Sequence, residues 1–282
     1  MIISIASGKG GTGKTTVAVS LALSIGNSQI IDCDVEEPNV HLFLKPEVKQ
    51  TFEVNTLIPE VDYQKCTYCG YCAKVCAYNA LSVLNFEQNG QVLLFPHLCH
   101  GCKGCILLCP EKALFEGFRP IGKIIVGFKE KVEFIEGRLN VSEVLAPRVI
   151  EEAKELINPN KITIIDAPPG TSCPAVAAIK GSDFCLLVTE PTPFGLHDLE
   201  LAYEVTQVLK VPAGVIVNKS QEQEDELVET FCERTNLPVL MKIPFKREIA
   251  EVYSKGIPLV VAMPEYREKF RNLINLIKEL KR

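Results

Sequence analysis

The chain has 282 residues, of which 47% are hydrophobic, so it is long enough for one large domain or two smaller ones with a sizeable core. The lack of a lysine- and arginine-rich block argues against a nucleic-acid-binding surface, whereas the net charge of −5 says little about partners. No apolar run approaches the roughly 18 residues of a membrane span, and the first residues lack the pattern of a signal peptide. We therefore expect a cytoplasmic protein, in which disulfides are rare and clustered cysteines usually bind metal.

Strand-like and helix-like segments alternate along most of the chain. The first strand, MIISIAS, is followed by a glycine-rich turn, a helical segment KTTVAVSLALSIG and a second strand QIIDCDV. The later predicted strands are KITIIDAPPG, DFCLLVTEP, AGVIVNK and LPVLMKIP, and the later predicted helices are LHDLELAYEVTQVLK, EDELVETFCERTN and EYREKFRNLINLIKELKR. Near-continuous valine and isoleucine runs separated by helices predict an α/β fold with a doubly wound, mostly parallel sheet covered on both faces.

A cysteine-rich stretch from about residue 59 to residue 117 interrupts this alternation. It contains an internal repeat, because CTYCGYCAKVCAYNALSV is matched 33 positions later by CHGCKGCILLCPEKALFE. After it, IGKIIVGFKEKVEFIEGRL alternates like an antiparallel hairpin. We therefore predict a discontinuous α/β domain, residues 1–58 and 118–282, with a smaller α+β domain inserted at residues 59–117, since inserted domains enter at exposed loops.

A phosphate-binding loop follows the first strand, where the sequence fits the pattern G-x₄-G-K-[ST]. Glycines let the backbone wrap phosphates, Lys14 would reach the β- and γ-phosphates, and the Thr15 hydroxyl would bind Mg²⁺. The helix that begins near Gly13 adds the positive end of its dipole. A glycine-rich turn without a ligand is the alternative, but the strand before the loop and the helix after it favour nucleotide binding. The residues predicted to bind the nucleotide are Gly8, Lys9, Gly10, Gly11, Thr12, Gly13, Lys14, Thr15 and Thr16.

Three aspartates, Asp32, Asp34 and Asp166, each follow an apolar strand. They are therefore expected at the carboxyl edge of the sheet, where α/β proteins bind their ligands. A structural role as a helix cap or turn residue remains open for Asp32 and Asp34. It is less favoured for Asp166, which the sequence Ala-Pro-Pro-Gly follows.

The loop KGGTGKTT resembles the deviant Walker A loop of the MinD/ParA ATPases, a group that includes the nitrogenase iron protein and the Mrp-type iron–sulfur carriers. IDCDVEEPN is similar to the switch I segment of this family, IDAPPG to its switch II segment and VNK to its base-reading loop. IPFKREIAEVYSKGIPLV looks like the late segment that closes over the base. The resemblance covers most of the chain outside the cysteine-rich stretch.

This resemblance implies a Mg²⁺-dependent ATPase and assigns roles to five residues. Asp34 would polarise the attacking water, and Asp166 would hold Mg²⁺ through water. Gly170 would sense the γ-phosphate, and Asn218 would read adenine. Lys9, the extra lysine of the loop, would cross a dimer interface to the nucleotide of the neighbouring chain. The implied partner is a second copy of the chain, or a related chain, that binds when ATP is present.

Each half of the internal repeat has the cysteine spacing C-x₂-C-x₂-C-x₃-C, whose thiolates bind [4Fe–4S] clusters. The fourth cysteine of each run reaches the other cluster of the pair, and the spacing resembles that of bacterial two-cluster ferredoxins over about 50 residues. Ala77 replaces the proline that follows the fourth cysteine in that motif. Two zinc sites are the alternative, but a third cysteine after each C-x₂-C pair, in tandem, favours clusters. The predicted ligands are Cys66, Cys69, Cys72 and Cys109 for one cluster, and Cys99, Cys102, Cys105 and Cys76 for the other.

The scattered cysteines give weaker signals. Cys173 lies seven residues after Asp166, where the nitrogenase iron protein also has a cluster-ligating cysteine, but that protein needs two such cysteines per subunit. The chain also lacks the late C-x-x-C pair of the Mrp-type carriers. Cys173 is therefore expected to be a structural or switch-associated thiol rather than a ligand of a bridging cluster. Cys33, Cys185 and Cys232 are expected to pack as small hydrophobic residues.

The last predicted helix is amphipathic. MinD uses such a terminal helix to bind membrane, but here no linker precedes the helix, so packing on the sheet is favoured over membrane binding. Its apolar face consists of Phe270, Leu273, Ile274, Ile277 and Leu280.

Three classes of function fit these motifs. The first is a nucleotide-gated electron-transfer protein, in which ATP controls when two clusters pass electrons to a redox partner. The second is a maturation or carrier ATPase that delivers an iron–sulfur or metal centre to a client protein. The third is a MinD-like positioning ATPase with structural clusters. Eight ligands in a stable ferredoxin layout favour the first class, with the carrier role as the alternative.

Overall fold

The computed structural model describes residues 1–85 and 90–280. The strands are β1 (Ile2–Ala6), β2 (Ser28–Asp32), β3 (Glu47–Val61), β4 (Leu81–Asn85), β5 (Gly90–Leu94), β6 (Leu114–Lys129), β7 (Val132–Leu139), β8 (Ile162–Asp166), β9 (Phe184–Thr189), β10 (Ala213–Ser220) and β11 (Val239–Pro244). The α-helices are α1 (Lys14–Ile25), α2 (Val40–Leu44), α3 (Tyr71–Val75), α4 (Gly104–Leu107), α5 (Ala146–Glu155), α6 (Cys173–Ile179), α7 (Pro193–Leu209), α8 (Glu222–Thr235), α9 (Arg247–Ser254), α10 (Leu259–Ala262) and α11 (Glu265–Leu280). A short 3₁₀ helix spans Pro96–Leu98.

The main sheet has nine strands in the order β11-β10-β9-β1-β8-β2-β7-β6-β3. The strands from β11 to β7 run parallel, whereas β6 is antiparallel to both of its neighbours. Buried side chains of α1, α10 and α11 pack on one face of the sheet, and those of α5, α6, α7 and α8 pack on the other. The predicted doubly wound, mostly parallel α/β fold is therefore confirmed.

The late strand predictions are also confirmed, because β8 to β11 coincide with the four apolar runs. Every residue of β9 is buried, as expected for a strand covered by helices on both faces. The first predicted helix begins at Lys14 and ends before Gly26, whose φ of +80° suits glycine and whose N–H donates to the carbonyl of Ala22. These elements place the loop between β1 and α1 at the carboxyl edge of the sheet.

The two longest strands carry the chain from the sheet to the cysteine-rich stretch and back. β3 and β6 pair antiparallel, from Glu47 opposite Phe128 to Val61 opposite Leu114. The pairing of β6 with β7 confirms the predicted hairpin, but the sequence analysis did not predict β3. The β3–β6 ladder passes residues 59 and 117 without a register shift, so no change of secondary structure marks the proposed domain boundaries.

The terminal helix α11 packs against the sheet face that α1 covers. Its residues Tyr266, Phe270, Leu273, Ile274 and Ile277 are buried, as predicted for four of them. Leu280, the last described residue of the helix, is 45% exposed, whereas the other four residues of the predicted apolar face are buried. Residues 281–282 of the predicted helix lie outside the described residues. Within the described ranges, no helix combines the length and apolar character that crossing a membrane requires.

Candidate nucleotide and cysteine sites

The loop between β1 and α1 has the tight backbone that its glycines predict. Gly11 and Gly13 have φ angles of +78° and +96°, in the left-handed region that glycine adopts readily. A Cβ atom on Gly8 would lie 2.1 Å from the carbonyl oxygen of Asp198 in α7. A Cβ atom on Gly13 would lie 2.2 Å from the side-chain nitrogen of Asn218 at the end of β10. The loop is thus held between two neighbouring elements at positions where only glycine fits.

Thr15 and Asp166 come together at the start of α1. The Thr15 hydroxyl donates to Oδ2 of Asp166 over 2.6 Å. Asp166 is buried, and burial raises the pKa of its carboxyl to about 7, opposed by the Thr15 hydrogen bond and the charge of Lys14. Its second oxygen, Oδ1, is buried without a hydrogen-bond partner among the described residues. A hydroxyl beside an unpartnered carboxylate oxygen is the donor set that a hard cation such as Mg²⁺ takes.

Lys14 occupies the centre of the loop. Its side chain is buried, and burial lowers the pKa of the ammonium, while the charges of Asp166 and Asp34 oppose this change. A buried cation with two carboxylates nearby, at the N-terminus of a helix, is suited to bind phosphate. The position of Lys14 therefore agrees with its predicted contact to the β- and γ-phosphates.

The segment after β2 is organised by Asp32. Its carboxylate accepts hydrogen bonds from the backbone N–H groups of Asp34, Asn39 and Val40, over 3.1, 2.9 and 2.9 Å. Burial, together with the charge of Asp166, raises the pKa of this carboxyl well above its usual value. Asp32 thus has the structural role that the sequence left open: it folds the loop that presents Asp34 and caps the start of α2.

Asp34 is only half-buried and lies near Lys14. Burial raises the pKa of its carboxyl to about 6, and the charge of Lys14 opposes the rise. A carboxylate with a pKa close to neutral, beside a phosphate-binding lysine, can polarise a water molecule. The role of Asp34 in hydrolysis stays a prediction, and its position is compatible with that role.

An acidic residue that the sequence analysis missed, Glu190, binds two lysines beside the loop. Glu190 follows β9 directly, and its carboxylate lies 3.6 Å from Nζ of Lys9 and 2.6 Å from Nζ of Lys219. Lys219 also donates to the carbonyl of Gly11 over 3.3 Å. The signal that could have identified Glu190 is its place at a strand's carboxyl end, the same place as Asp34 and Asp166.

The other predicted nucleotide residues also lie at the loop. Nδ2 of Asn218 donates to the carbonyl of Thr12 over 2.6 Å, and the hydroxyl of Thr12 is buried with no hydrogen-bond partner in the part of the chain that the structure describes. Gly170 has a φ of +89°, and its N–H donates to the carbonyl of Ser7 over 2.9 Å. The structure therefore brings Asn218 and Gly170 against the phosphate loop, whereas their roles toward adenine and the γ-phosphate stay predictions.

The eight regularly spaced cysteines line two cavities at the far end of the β3–β6 pair. Both cavities are small and partly enclosed. Each cavity is lined by three cysteines of one run and the fourth cysteine of the other run, which is the crossed arrangement that the spacing predicts. The first cavity is lined by Cys76, Cys99, Cys102 and Cys105, and the second by Cys66, Cys69, Cys72 and Cys109.

Four cysteines line each of the two cavities. Within residues 1–85 and 90–280, no three side chains of His, Cys, Asp or Glu are arranged to hold a single metal ion. Zinc holds its thiolates on one ion at about 2.3 Å, whereas each thiolate of a [4Fe–4S] cluster binds a different iron. Apolar side chains complete the lining, among them Leu81 in the first cavity and Val83 and Val92 in the second. Four thiols with apolar neighbours are a lining that a [4Fe–4S] cluster could occupy, and the cluster assignment stays a prediction.

The scattered cysteines are placed largely as predicted. Cys33, Cys185 and Cys232 are buried, and burial raises the thiol pKa to about 12 for Cys185 and about 11 for Cys232. Such thiols are inert, which confirms their packing as small hydrophobic residues. Cys173 is exposed at the start of α6, and nothing in the described residues assigns it a ligand.

A buried lysine at a helix start, with aspartates at the carboxyl edge of a parallel sheet, defines a P-loop nucleotide-binding protein. The family described as the CobQ/CobB/MinD/ParA nucleotide binding domain matches residues 3–259. The chain belongs to this family of P-loop ATPases.

A solved structure shares the fold over nearly the whole chain. The septum site-determining protein MinD of Pyrococcus horikoshii, complexed with Mg-ADP, gives a TM-score of 0.59 at 23% identity and covers 99% of this chain and 95% of its own. At this identity the likeness shows the fold alone.

Three curated proteins illustrate the range of similar sequences. An uncharacterized protein of Methanocaldococcus jannaschii is 30% identical over 286 residues, which cover 99% of this chain and 96% of that protein. An iron–sulfur cluster carrier protein of Rickettsia typhi is 24% identical over 279 residues, covering 95% of this chain and 69% of the carrier. Ferredoxin-3 of Nostoc sp. is 31% identical over 80 residues, covering 22% of this chain and 82% of the ferredoxin.

Proposed function

We propose that this ATPase couples its nucleotide state to electron transfer through two [4Fe–4S] clusters held by a ferredoxin-like domain inserted at residues 59–117. The observation that carries the proposal is the pair of cysteine cavities, each lined by four thiols in the crossed arrangement of two-cluster ferredoxins. The similarity to a ferredoxin supports it. The proposal is also supported by the continuous pairing of β3 and β6, because these two strands join the cavities to the rest of the nucleotide-binding sheet.

The chain's own groups are suited to bind and tune such clusters. When bound, the clusters would supply one-electron redox chemistry, with potentials set by hydrogen bonds to sulfur and by solvent exposure. The backbone N–H of Ala80 donates to Sγ of Cys76 over 3.3 Å, and that of Ala113 donates to Sγ of Cys109 over 3.3 Å. The two repeats thus give equivalent N–H donors to the two crossed cysteines.

The nucleotide site would do the work of ATP binding and hydrolysis. The loop backbone and Lys14 would bind the phosphates, and Thr15 and Asp166 would hold Mg²⁺. Asp34 would polarise the attacking water, at the end of a loop that Asp32 holds in place. The chain enters the proposed inserted domain about 25 residues after Asp34. A movement of the Asp34 loop would therefore reach the cysteine sites through a short stretch of chain.

The experiment that tests this function is a redox titration of the loaded protein without nucleotide, with Mg-ADP and with Mg-ATP. Coupling is reciprocal, so a nucleotide that favours one redox state must shift the potential. A coupling of about 1–3 kcal/mol, at about 2.3 kcal/mol per 100 mV for one electron, corresponds to a shift of roughly 45–130 mV. Purely geometric coupling would leave the potential unchanged and alter the rate of electron donation to an acceptor. Identical potentials and identical rates in all three states would contradict the electron-transfer function.

A carrier role is the second candidate, because the chain is similar to an iron–sulfur cluster carrier over 95% of its length. In that role ATP would regulate delivery of a metal centre to a client protein. The two roles differ in the fate of the clusters. An electron-transfer protein keeps its iron when incubated with ATP and an apo-ferredoxin acceptor, whereas a carrier loses iron to that acceptor.

We also propose that ATP brings two chains together, with Lys9 of each reaching the nucleotide of the other. Lys9 is a second cation in a loop that needs only Lys14 for its own phosphates, and its side chain is 33% exposed. A cation supplied across an interface that excludes water can stabilise developing charge. Light scattering of the Asp34→Ala protein with ATP should therefore show a dimer.

Adding Lys9→Ala should abolish that dimer and, in the otherwise unchanged chain, lower the hydrolysis rate by about 100-fold, the effect of losing one preorganised donor. Lys219→Ala is the matched control, because Lys219 also pairs with Glu190 but donates to the loop of its own chain. A Lys9→Ala chain that dimerises and hydrolyses ATP at the parent rate argues against this proposal.

A further inference from the structure

The two cysteine cavities lie at different heights on the β3–β6 pair. The cavity with Cys99 is lined by Leu57 and Pro59 of β3, whereas the cavity with Cys66 is lined by Leu114 of β6, which pairs with Val61. Leu57 and Pro59 are four and two residues closer than Val61 to the part of the β3–β6 pair that lies beside β7, which is roughly 7–13 Å along a strand. We call the cavity of Cys76, Cys99, Cys102 and Cys105 the proximal site, and the cavity of Cys66, Cys69, Cys72 and Cys109 the distal site.

The proximal site rests directly on β3. Sγ of Cys99 lies 3.8 Å from the carbonyl oxygen of Leu57. A Cβ atom on Gly101 would lie 3.1 Å from the same carbonyl oxygen and 3.1 Å from the hydroxyl of Thr56. Movement of this part of β3 would therefore move the Cys99 loop with it.

A β-bulge lies between the sheet and this part of the strands. The β3–β6 register shifts between Val54 and Asn55, so that Val54 pairs with Gly122 and Asn55 with Pro120. The β6–β7 pairing ends at the same level, with Gly122 opposite Leu139. A bulge interrupts the ladder and bends the strand. We call residues 55–61 and 114–120, beyond the bulge, the stalk.

A salt bridge spans this bulge from the body to the stalk. Glu143, in the loop between β7 and α5, binds Arg119 of the stalk through both guanidinium nitrogens, with 3.0 Å for the NH2–Oε2 contact. The side chains of Glu143 and Arg119 are only 6% and 14% exposed. Arg119 also donates to the carbonyl of Pro96, three residues before Cys99, over 3.3 Å, and His97 lies 3.6 Å from Glu143. A buried bidentate pair fixes orientation as well as distance.

The same loop is tied to the segment that presents Asp34. The N–H of Leu139, at the end of β7, donates to the carbonyl of Val35 over 2.8 Å, and Val35 follows Asp34 directly. The next residue, Asn140, donates its N–H to the carbonyl of Ile121 in the bulge over 2.8 Å. Three residues later the chain reaches Glu143. A short chain of contacts therefore leads from Asp34 through the end of β7 to the proximal site.

We propose that the bulge is a hinge and that the Glu143–Arg119 salt bridge is the latch that makes the orientation of the proximal site depend on the position of Asp34. When Val35 moves with the nucleotide state, the end of β7 moves with it, and Glu143 transfers that movement to Arg119 and the turn at Pro96. The distal site follows only through the stalk. The proposal deepens the proposed function, on which it rests for the identity of the proximal site as a cluster site.

Hydrogen–deuterium exchange of the full chain, without nucleotide and with Mg-ATP, tests this latch. In the parent chain, we expect ATP to change the exchange rate of residues 96–105 by about fivefold or more, the lower range of allosteric coupling. Glu143→Gln removes the charge with little change of shape and should abolish this response. The ATP-dependent protection of residues 8–16 should persist, because the nucleotide loop is not altered.

Glu116→Gln is the matched control. Glu116 forms an exposed salt bridge with Lys103 inside the cysteine-rich stretch, so its loss leaves the connection to the body intact and the ATP response should remain. If Glu143→Gln does not fold because Arg119 stays buried without its partner, Arg119→Met combined with Glu143→Gln removes both charges and should give the same loss of response.

The proposal is overturned if residues 96–105 of the parent chain do not respond to ATP, or if a folded latch variant responds like the parent. Exchange can be measured with and without nucleotide whether or not the chain holds iron, so this failure is separate from failure of the proposed function. A chain that binds no iron but keeps a latch-dependent response would contradict the cluster assignment alone. A chain with both clusters and no such response would contradict the latch alone.

Discussion

Replacing Asp34 by alanine is expected to slow ATP hydrolysis by about 100-fold or more, the typical contribution of a positioned acid–base group, while ATP binding persists. The reason is that phosphate binding and water activation are assigned to different residues. Lys14 is buried where phosphates would bind, whereas Asp34 is half-buried at the end of the loop that Asp32 organises. Removing Asp34 would take away the proposed water activation without removing a proposed phosphate ligand.

The pH dependence gives this prediction a second readout. Burial raises the pKa of Asp34 to about 6, and only the ionised carboxylate can polarise water. The hydrolysis rate of the parent chain should therefore fall as the pH drops through about 6, and the Asp34→Ala protein should lose the part of this decline that Asp34 causes, while the part caused by protonation of Asp166, whose pKa is raised to about 7, should remain.

Two further variants show that the effect is specific. Lys14→Ala should lose ATP binding itself, because it removes the cation that is proposed to face the β- and γ-phosphates. Glu36→Ala changes an exposed acidic residue of the same loop and should keep the parent rate. Nucleotide binding by calorimetry and phosphate release measure the two steps separately. Parent-like hydrolysis by Asp34→Ala would show that Asp34 is not the catalytic carboxylate.

The crossed arrangement of the cysteines makes the second large prediction. Cys76→Ser should damage the same cluster as Cys102→Ser, although Cys76 is closer in sequence to Cys72, because Cys76 lines the cavity of Cys99, Cys102 and Cys105. Cys72→Ser and Cys109→Ser should damage the other cluster. Each variant should lose about four of eight irons.

The readout that separates crossed from uncrossed ligation is the spectrum of the remaining cluster. Electron paramagnetic resonance of the reduced Cys76→Ser and Cys102→Ser proteins should show the same surviving signal, different from that of Cys72→Ser and Cys109→Ser. Cys173→Ser, which changes an exposed cysteine outside both cavities, should keep all eight irons. If the Cys76→Ser and Cys72→Ser proteins showed the same surviving signal, the crossed arrangement would be contradicted.

Local patterns predicted the parts of the protein that local chemistry determines. The glycine-rich loop, the strands rich in valine and isoleucine and the positions of Asp34 and Asp166 are all consequences of short segments with strong preferences. The cysteine spacing likewise predicted which four thiols share a cavity, because in the C-x₂-C-x₂-C-x₃-C motif the fourth cysteine of each run joins the three cysteines of the other run.

The features that were missed depend on partners far along the chain. β3 has an exposed first half, from Glu47 to Glu53, without a clear alternating pattern, and it is a strand because β6 pairs with it across more than 50 residues of intervening chain. The role of Glu190 depends on its salt bridges with Lys9 and Lys219, which the fold brings next to it. The latch joins Arg119 and Glu143 across a loop, and neither residue belongs to a recognisable motif. Burial and pairing at such distances are tertiary properties that sequence periodicity does not encode.

The measurement that tests the account most directly is an iron and acid-labile sulfide count on protein purified without oxygen, with zinc measured in the same sample. Two [4Fe–4S] clusters predict a brown protein with about eight irons and eight sulfides per chain. A colourless protein with stoichiometric zinc and no labile sulfide would contradict the account. It would leave an ATPase of this family whose cysteine-rich stretch serves only as a metal-stabilised structural element.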